Sequence, residues 1–314
     1  MLRNVTLKQL RVLAAIGRTG GVTRAAEVLH VTPPAVTLQL QALEQEAGLP
    51  LVERSPGGMT LTEAGREVVE TAARIEAALT DCNAMLAALQ DAERGAVAAG
   101  VTSTAKYFAP RALAAFARAH PGLDLRLAVG NRAETIAGLR DHTLDIAIMG
   151  RPPDDLAVDA TPIGPHPHVI IADPAHPLAA HRDIGPAALA GELFVVREPG
   201  SGTRSLMERF FAAHAIAPRI GMEIGSNETI KQAVMAGLGI AFLSAHTLEL
   251  EVESGRLAVL DIAGLPIVRQ WYAVHLMDRR LTPAVQLLRR FLAEQGSAYL
   301  PAIFSALPAP PVPA

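Results

Sequence analysis

A chain of 314 residues has room for more than one compact unit, each large enough to bury its own core. Its formal net charge of -3 gives no global case for a nucleic-acid or membrane partner, so any such case must be local. The single cysteine, Cys82, excludes an intrachain disulfide framework, and no apolar run reaches the roughly 18 residues needed to span a bilayer. The opening MLRNVTLKQLRVL lacks the apolar stretch of a secretion signal, which points to a cytoplasmic protein.

In chain order, Leu7, Leu10, Val12, Leu13 and Ile16 recur at helical spacing until Gly20 and Gly21 end the first helix. A short second helix follows in TRAAEVLHV, with Thr23 as its expected cap. The third helix opens at VTPPAVTLQLQALEQE. There Thr32 stands as N-cap, Pro33 takes the first helical position, and Val36, Leu40 and Leu43 form the buried stripe. LPLVERSPGGMTLT reads as two short strands around a Ser-Pro-Gly-Gly turn, a wing beside the helices. From about Thr62 to Gln90 one long helix carries an apolar stripe of Val68, Val69, Ile75, Leu79, Leu86 and Leu89, which predicts a partner helix, most simply a second copy. Cys82 falls on this helix and is expected to pack as a small apolar group.

Beyond Gly95, strands and helices alternate. GAVAAGVTS, LDLRLAVGN and LDIAIMG read as strands, KYFAPRALAAFARAH and a segment ending near Arg140 as helices. A second set comprises HPHVIIADP, ELFVVREPGSG, a helix to about Ala215, RIGMEIGS, a helix from about Asn227 to Ala236, and GIAFLS. RQWYAVHLM and PAVQLLRRFLAEQ then return as a strand and helix that close the first set. The result is two lobes with a cleft between them.

The three helices, wing and long helix, carried by AAEVLHVTPPAVTLQLQALEQEAGLPLVERSPGGMTLTEAG, followed by two α/β lobes, resemble the LysR-type transcriptional regulators. Within that family VVREPGSGTR, GSNETIKQAVMAGLGIAFLSAHTL and VTPPAVTLQLQALE are similar to the CbbR type, regulators of Calvin-cycle (RuBisCO) operons. The resemblance implies an α+β multidomain protein. A winged helix-turn-helix DNA-binding domain would occupy 1–61, a linker and dimerisation helix 62–91, and a two-lobed, periplasmic-binding-protein-like effector domain 92–303. Lobe I would take about 92–163 and 267–303, lobe II about 164–266, with a disordered Pro-rich tail at 304–314. It further implies a homotetramer built from dimers, double-stranded promoter DNA as partner, RNA polymerase as a further partner, and gene activation.

Family precedent puts the third helix in the major groove, so Thr32, Pro33, Pro34, Thr37, Leu38, Gln39 and Gln41 become the candidate readers. Pro33 to Ala47 contains no Lys or Arg, which removes the bidentate arginine contact to guanine. Phosphates then fall to Arg18, Arg24 and Arg54, with Arg66 behind them and the positive end of the helix dipole at Thr32. Residues 1–66 hold seven basic and five acidic side chains, a net of only +2, so one head should bind weakly and several linked heads are expected to combine.

For the effector, three strand-to-helix turns offer backbone N–H groups to an anion: VTSTAK, EPGSGTR and GSNE. Each alone is more simply a well-capped turn, and their joint placement is what points to a site. The candidate contacts are Thr102, Ser103, Thr104, Lys106, Ser201, Thr203, Arg204 and Asn227, with GNR at Gly130 to Arg132 and GRPP at Gly150 to Pro153 as weaker candidates at the cleft edge. The expected ligands are ribulose 1,5-bisphosphate, another phosphorylated metabolite, or NADPH, and no resident cofactor is implied. His166, His168, His176 and His181 lack carboxylate or thiol neighbours at ligand spacing, so zinc is not expected. Gly-Ser-Gly around Ser201 is not a hydrolase elbow, and the cleft offers only Lys106 and Lys231 as nearby lysines. No catalytic constellation emerges. The competing reading, a binding protein or enzyme on the same two-lobe scaffold, leaves the helical N-terminus without a role.

Overall fold

The computed structural model describes residues 2, 4–55, 58–90 and 95–302. Its contacts divide the chain into two compact units, Met1–Asn83 and Ala84–Ala314. The tail expected at 304–314 and the segment 91–94 lie outside the described residues. Among the described residues no helix is long and apolar enough to cross a membrane.

In the first unit α1 (Leu7–Thr19), α2 (Val22–Leu29) and α3 (Pro33–Ala47) precede a hairpin of β1 (Val52–Ser55) and β2 (Gly58–Leu61), and α4 (Glu63–Gln90) follows. Thr6 and Gln9 form a capping box that starts α1, and Gly20, in the left-handed region at φ 73°, ends it. α2 begins earlier than its sequence suggests. Its cap is Gly21, without a side-chain bond, and Thr23 sits inside the first turn. Leu13, Ile16, Ala25, Val36, Leu40, Leu43 and Leu51 pack into one apolar core, joined by Ala72 from α4. The hairpin pairs Val52 with Leu61 and Ser55 with Gly58 in antiparallel register. Thr62 accepts the Gly65 N–H at 3.0 Å to begin α4, and Arg11 on α1 grips Glu76 through Nε at 2.6 Å. Cys82 is exposed, so the packing role expected for it is not met within the chain.

The second unit is built on one seven-stranded sheet. β3 (Gly95–Thr102), α5 (Ala109–Ala119), β4 (Leu123–Gly130), α6 (Arg132–Arg140) and β5 (Ile146–Met149) lead into the long β6 (Val158–Ala172). Then come β7 (Leu193–Arg197), α7 (Gly202–Ala213), β8 (Arg219–Ile224), α8 (Asn227–Met235), β9 (Ala241–Ser244), α9 (Glu249–Glu253), β10 (Ala258–Val259), β11 (Ile267–Leu276) and α10 (Pro283–Gln295). The strands run β10-β6-β11-β5-β3-β4, with β9 also on β6. β7 and β8 pair in parallel, and Val195 and Leu193 extend that pairing to Ile240 beside β9. β6 therefore serves both lobes. Residues 158–168 pair with β11, and 168–172 pair with β9 and β10.

The sequence shows only the second half of β6, because Pro162 and Pro165 argue against a strand before it. In place, residues 158–167 have β11 as their one neighbour among the described strands, and a strand paired on one side tolerates the missing N–H groups. The continuous helix expected over KYFAPRALAAFARAH is likewise broken. A 3-10 turn at Ala105–Tyr107 precedes α5, since Pro110 belongs in a helix's first turn and not in its interior. In lobe I, α5 and α10 cover one sheet face through Phe108, Phe116 and Leu288, while Leu139 of α6 covers the other. In lobe II, α7 packs Phe210 and Phe211 on one side, and α8 packs Ile230 and Val234 on the other.

Candidate functional sites

Between the lobes lies a cavity of about 250 Å³. Its wall includes Thr102 at the end of β3, Ser103 and Thr104 just after it, and Ser201, Thr203 and Ser205 at the start of α7. Ser201 is 2% exposed and caps α7 by accepting the Arg204 N–H. Thr102 and Thr104 are buried with their hydroxyls 3.5 Å apart. Lys106, Arg204 and Asn227 are absent from the wall. Arg204 is turned away, held by Glu208 at 2.8 Å, by Glu223 and by the Arg197 carbonyl. Asn227 is 1% exposed, and its amide is consumed: Oδ1 accepts from Arg197 at 2.6 Å and Nδ2 donates to the Ser103 carbonyl.

Arg197 explains that arrangement. It is 2% exposed at the end of β7, donates twice to Glu198, and reaches across the cleft to the Ser103 hydroxyl at 2.9 Å. Tyr107 adds a bond to Glu228, and the Ala133 N–H donates to the Gly200 carbonyl, so lobe I and lobe II are stitched beside the cavity. Burial and the neighbouring Glu228 push the Tyr107 phenol up from its usual value, which keeps it a proton donor.

The charge on the wall comes from five arginines, of which Arg209 and Arg269 lie outside the motifs singled out. Arg132, Arg151, Arg197, Arg209 and Arg269 line the cavity, against one carboxylate, Asp154. Arg197 is neutralised by Glu198 and Arg151 lies 2.5 Å from Asp154, whereas the guanidiniums of Arg209 and Arg269 have no hydrogen bond or ion pair among the described residues. Burial first, then Arg209, Arg151 and Arg132, hold the Arg269 pKa below its ordinary value. Burial and then Arg151 do the same to Arg132, with Asp154 and Asp155 opposing. Such mutual repulsion is relieved by an anion. Arg132 and Arg151 sit in the GNR and GRPP turns, and Arg209 lies on the α7 stripe that Ser201 and Ser205 define at four-residue steps, a signal open to sequence reading. Arg269 is opposite His166 in the β11–β6 register, which only the tertiary pairing reveals.

The floor is aromatic and neutral. His166 stacks on Trp271 with ring centres 3.6 Å apart, and its Nε2 lies 2.9 Å from the Ser244 hydroxyl. Trp271 in turn donates to His246 at 3.0 Å. Burial pushes the His168 imidazole down to about 3 and that of His246 down to about 4, and lowers His166 as well. His176 contacts Glu192 elsewhere, His181 is exposed, and no metal-holding cluster occurs among the described residues.

On the first unit, α3 buries Val36, Leu40, Leu43 and Ala47 and presents Thr32, Pro33, Pro34, Thr37, Leu38 and Gln41 to solvent, with Gln39 half-buried. Thr32 has the extended backbone of an N-cap, but its side chain makes no capping bond. Pro33 and Pro34 carry no N–H, and the Ala35 N–H goes to the Thr32 carbonyl at 3.0 Å. The phosphate cradle expected at this helix start is therefore poorer than its dipole suggests. Arg18, Arg24 and Arg54 are all exposed.

A helix-turn-helix head with a hairpin wing, a long helix, and a two-lobed unit around a central cavity define the class: a DNA-binding transcriptional regulator carrying its own small-molecule domain. Residues 7–66 match the bacterial regulatory helix-turn-helix proteins of the lysR family, and residues 90–297 match the LysR substrate binding domain. The chain belongs to the LysR family. It is 52% identical over 298 residues to the HTH-type transcriptional regulator CbbR of Xanthobacter flavus, covering 94% of this chain and 90% of that one. It is 45% identical over 294 residues to the RuBisCO operon transcriptional regulator of Allochromatium vinosum, covering 94% and 97%. Among solved structures, the regulatory domain of Synechocystis PCC6803 CcmR in complex with 2-PG is similar at 38% identity and a TM-score of 0.62, over 64% of this chain and 96% of that one.

Proposed function

We propose that this regulator activates carbon-fixation (RuBisCO) genes when a small phosphorylated metabolite occupies the cavity between its lobes. The observation that carries the ligand class is the ring of arginines faced by one carboxylate. Two of those arginines, Arg209 and Arg269, have no ion pair among the described residues. The identity to CbbR and to a RuBisCO operon regulator supports the choice of genes. A volume of about 250 Å³ suits a compact phosphate such as 2-PG or ribulose 1,5-bisphosphate better than NADPH, whose bulk would project from it. The anion would be held by Arg132, Arg209 and Arg269, with Thr102, Thr104, Ser201 and Thr203 orienting its polar end. Arg197, Ser103 and Asn227 act as the seam between lobes.

Exposed Ile75, Leu79 and Leu86 on α4 support pairing with a second copy, and two such dimers would present four heads to promoter DNA. Thr32, Pro33, Pro34, Thr37, Leu38, Gln39 and Gln41 would face the major groove, with Arg18, Arg24 and Arg54 on phosphates and RNA polymerase as a downstream partner. The test is affinity for carbon-fixation promoter DNA at fixed salt, with and without 2-PG, ribulose 1,5-bisphosphate or NADPH. Specific binding that shifts with a phosphate supports the reading. Specific binding indifferent to all three discards the effector assignment.

A further inference from the structure

The exposed face of α3 is unusual for a surface that meets a polyanion. Pro34 and Leu38 lie four residues apart on it, followed by Gln41 and Gln45 at the next steps, and all four are exposed. Leu38 is 63% exposed, among the most exposed large apolar side chains in the chain. The same helix has no basic residue at any position, and its first two residues are prolines without an N–H. Phosphate recognition thus has little to work with along α3, and at its front Pro34 and Leu38 present apolar contact chemistry beside Thr32 and a Thr37 hydroxyl that donates to the Pro33 carbonyl. In the major groove one base feature is apolar, the 5-methyl of thymine.

We propose that Leu38, with Pro34 beside it, is a specificity-determining residue that reads a thymine 5-methyl group. This rests on the family's DNA-binding reading of the head and adds which base is selected and by what chemistry. Gln41 and Gln45, one and two turns further on, present amides that match the N6/N7 edge of adenine, so the helix suits A·T pairs and has no strong reader for guanine. Burying one methyl group corresponds to about a four-fold change in affinity.

Replacing thymidine by 2'-deoxyuridine deletes the methyl and leaves every hydrogen-bonding group of the base in place. The experiment uses the full-length protein and the tightest duplex it selects from a randomised library, with deoxyuridine introduced one position at a time at fixed salt. The proposal expects at least one position per half-site where binding weakens about three- to five-fold. It also expects that loss to disappear in Leu38→Ala, whose own affinity for the thymine duplex falls to about the level of the parent on the deoxyuridine duplex. The substitution is at an exposed site with a good helix former, so folding is preserved, and circular dichroism checks it. Methyl-insensitive binding overturns the proposal, as does a methyl effect that persists unchanged in Leu38→Ala. Failure to select any duplex would instead overturn the DNA-binding reading on which it rests.

Discussion

The two units place their chemistry in opposite ways. Among the described residues of the first unit, Gln9 is the one buried polar side chain, and everything able to recognise a partner stands on the surface. In the second unit Thr102, His166, His168, Arg197 and Ser201 are all buried, and they line a cavity. A duplex is a large partner that an outer face can meet, whereas a metabolite must be desolvated and surrounded. Charged hydrogen bonds then gain strength from low dielectric, at the cost of holding like charges together when the site is empty.

The sharpest way to separate the units is acid. His168 and His246 have folded pKa values of about 3 and about 4 against an unfolded value near 6.5. Below about pH 6.5 the unfolded chain binds protons that the native one refuses, so stability present at neutral pH is lost as pH falls toward those folded values. Each buried ring should remove about 2–3 kcal/mol between pH 6.5 and 4.5, and His166 acts in the same direction. The single tryptophan, Trp271, is fully buried in the second unit, so urea unfolding followed by its fluorescence isolates that unit. A midpoint unchanged between pH 7 and pH 5 would contradict the neutral-histidine floor.

Gly65→Ala attacks the other unit. A Cβ there would lie 2.0 Å from the Leu51 carbonyl oxygen, a backbone atom that cannot step aside. A cost of about 3 kcal/mol to the head is expected, with DNA binding lost while metabolite affinity, read by calorimetry, stays as in the parent.

Arg269→Gln should weaken binding of a phosphorylated ligand about ten- to a hundred-fold, the worth of one charge-assisted hydrogen bond in such a site. Arg204→Ala should change it least, within about two-fold, because that guanidinium is occupied by Glu208 and Glu223 outside the cavity. Equal losses in the two variants would show that general positive charge, and not the cavity wall, sets affinity.

Much of the fold is legible in the sequence because its signals are local. Periodic apolar residues mark α1 and α3, Thr62 marks the start of α4, and the segment opening at Pro283 marks α10. What escapes is set by distant neighbours. β6 hides its first half behind Pro162 and Pro165, which a strand paired on one side tolerates. Candidate site residues divide on the same principle. Ser201 and Thr203 follow from a turn before a helix, and the structure brings them to the cavity. Asn227 and Arg204 satisfy the same local pattern, yet Arg197 claims one and two glutamates claim the other. Arg269 has no local signal at all, since its place depends on β11 pairing with β6.

The most direct test of the account is one titration. Full-length protein bound to carbon-fixation promoter DNA at fixed salt is titrated with 2-PG, in the parent and in Arg269→Gln. The account predicts that the metabolite shifts the parent's DNA affinity or footprint at concentrations that leave the variant unmoved, while both bind the duplex equally in its absence. A parent whose specific DNA binding ignores phosphorylated metabolites, or a variant that responds as the parent does, would contradict it.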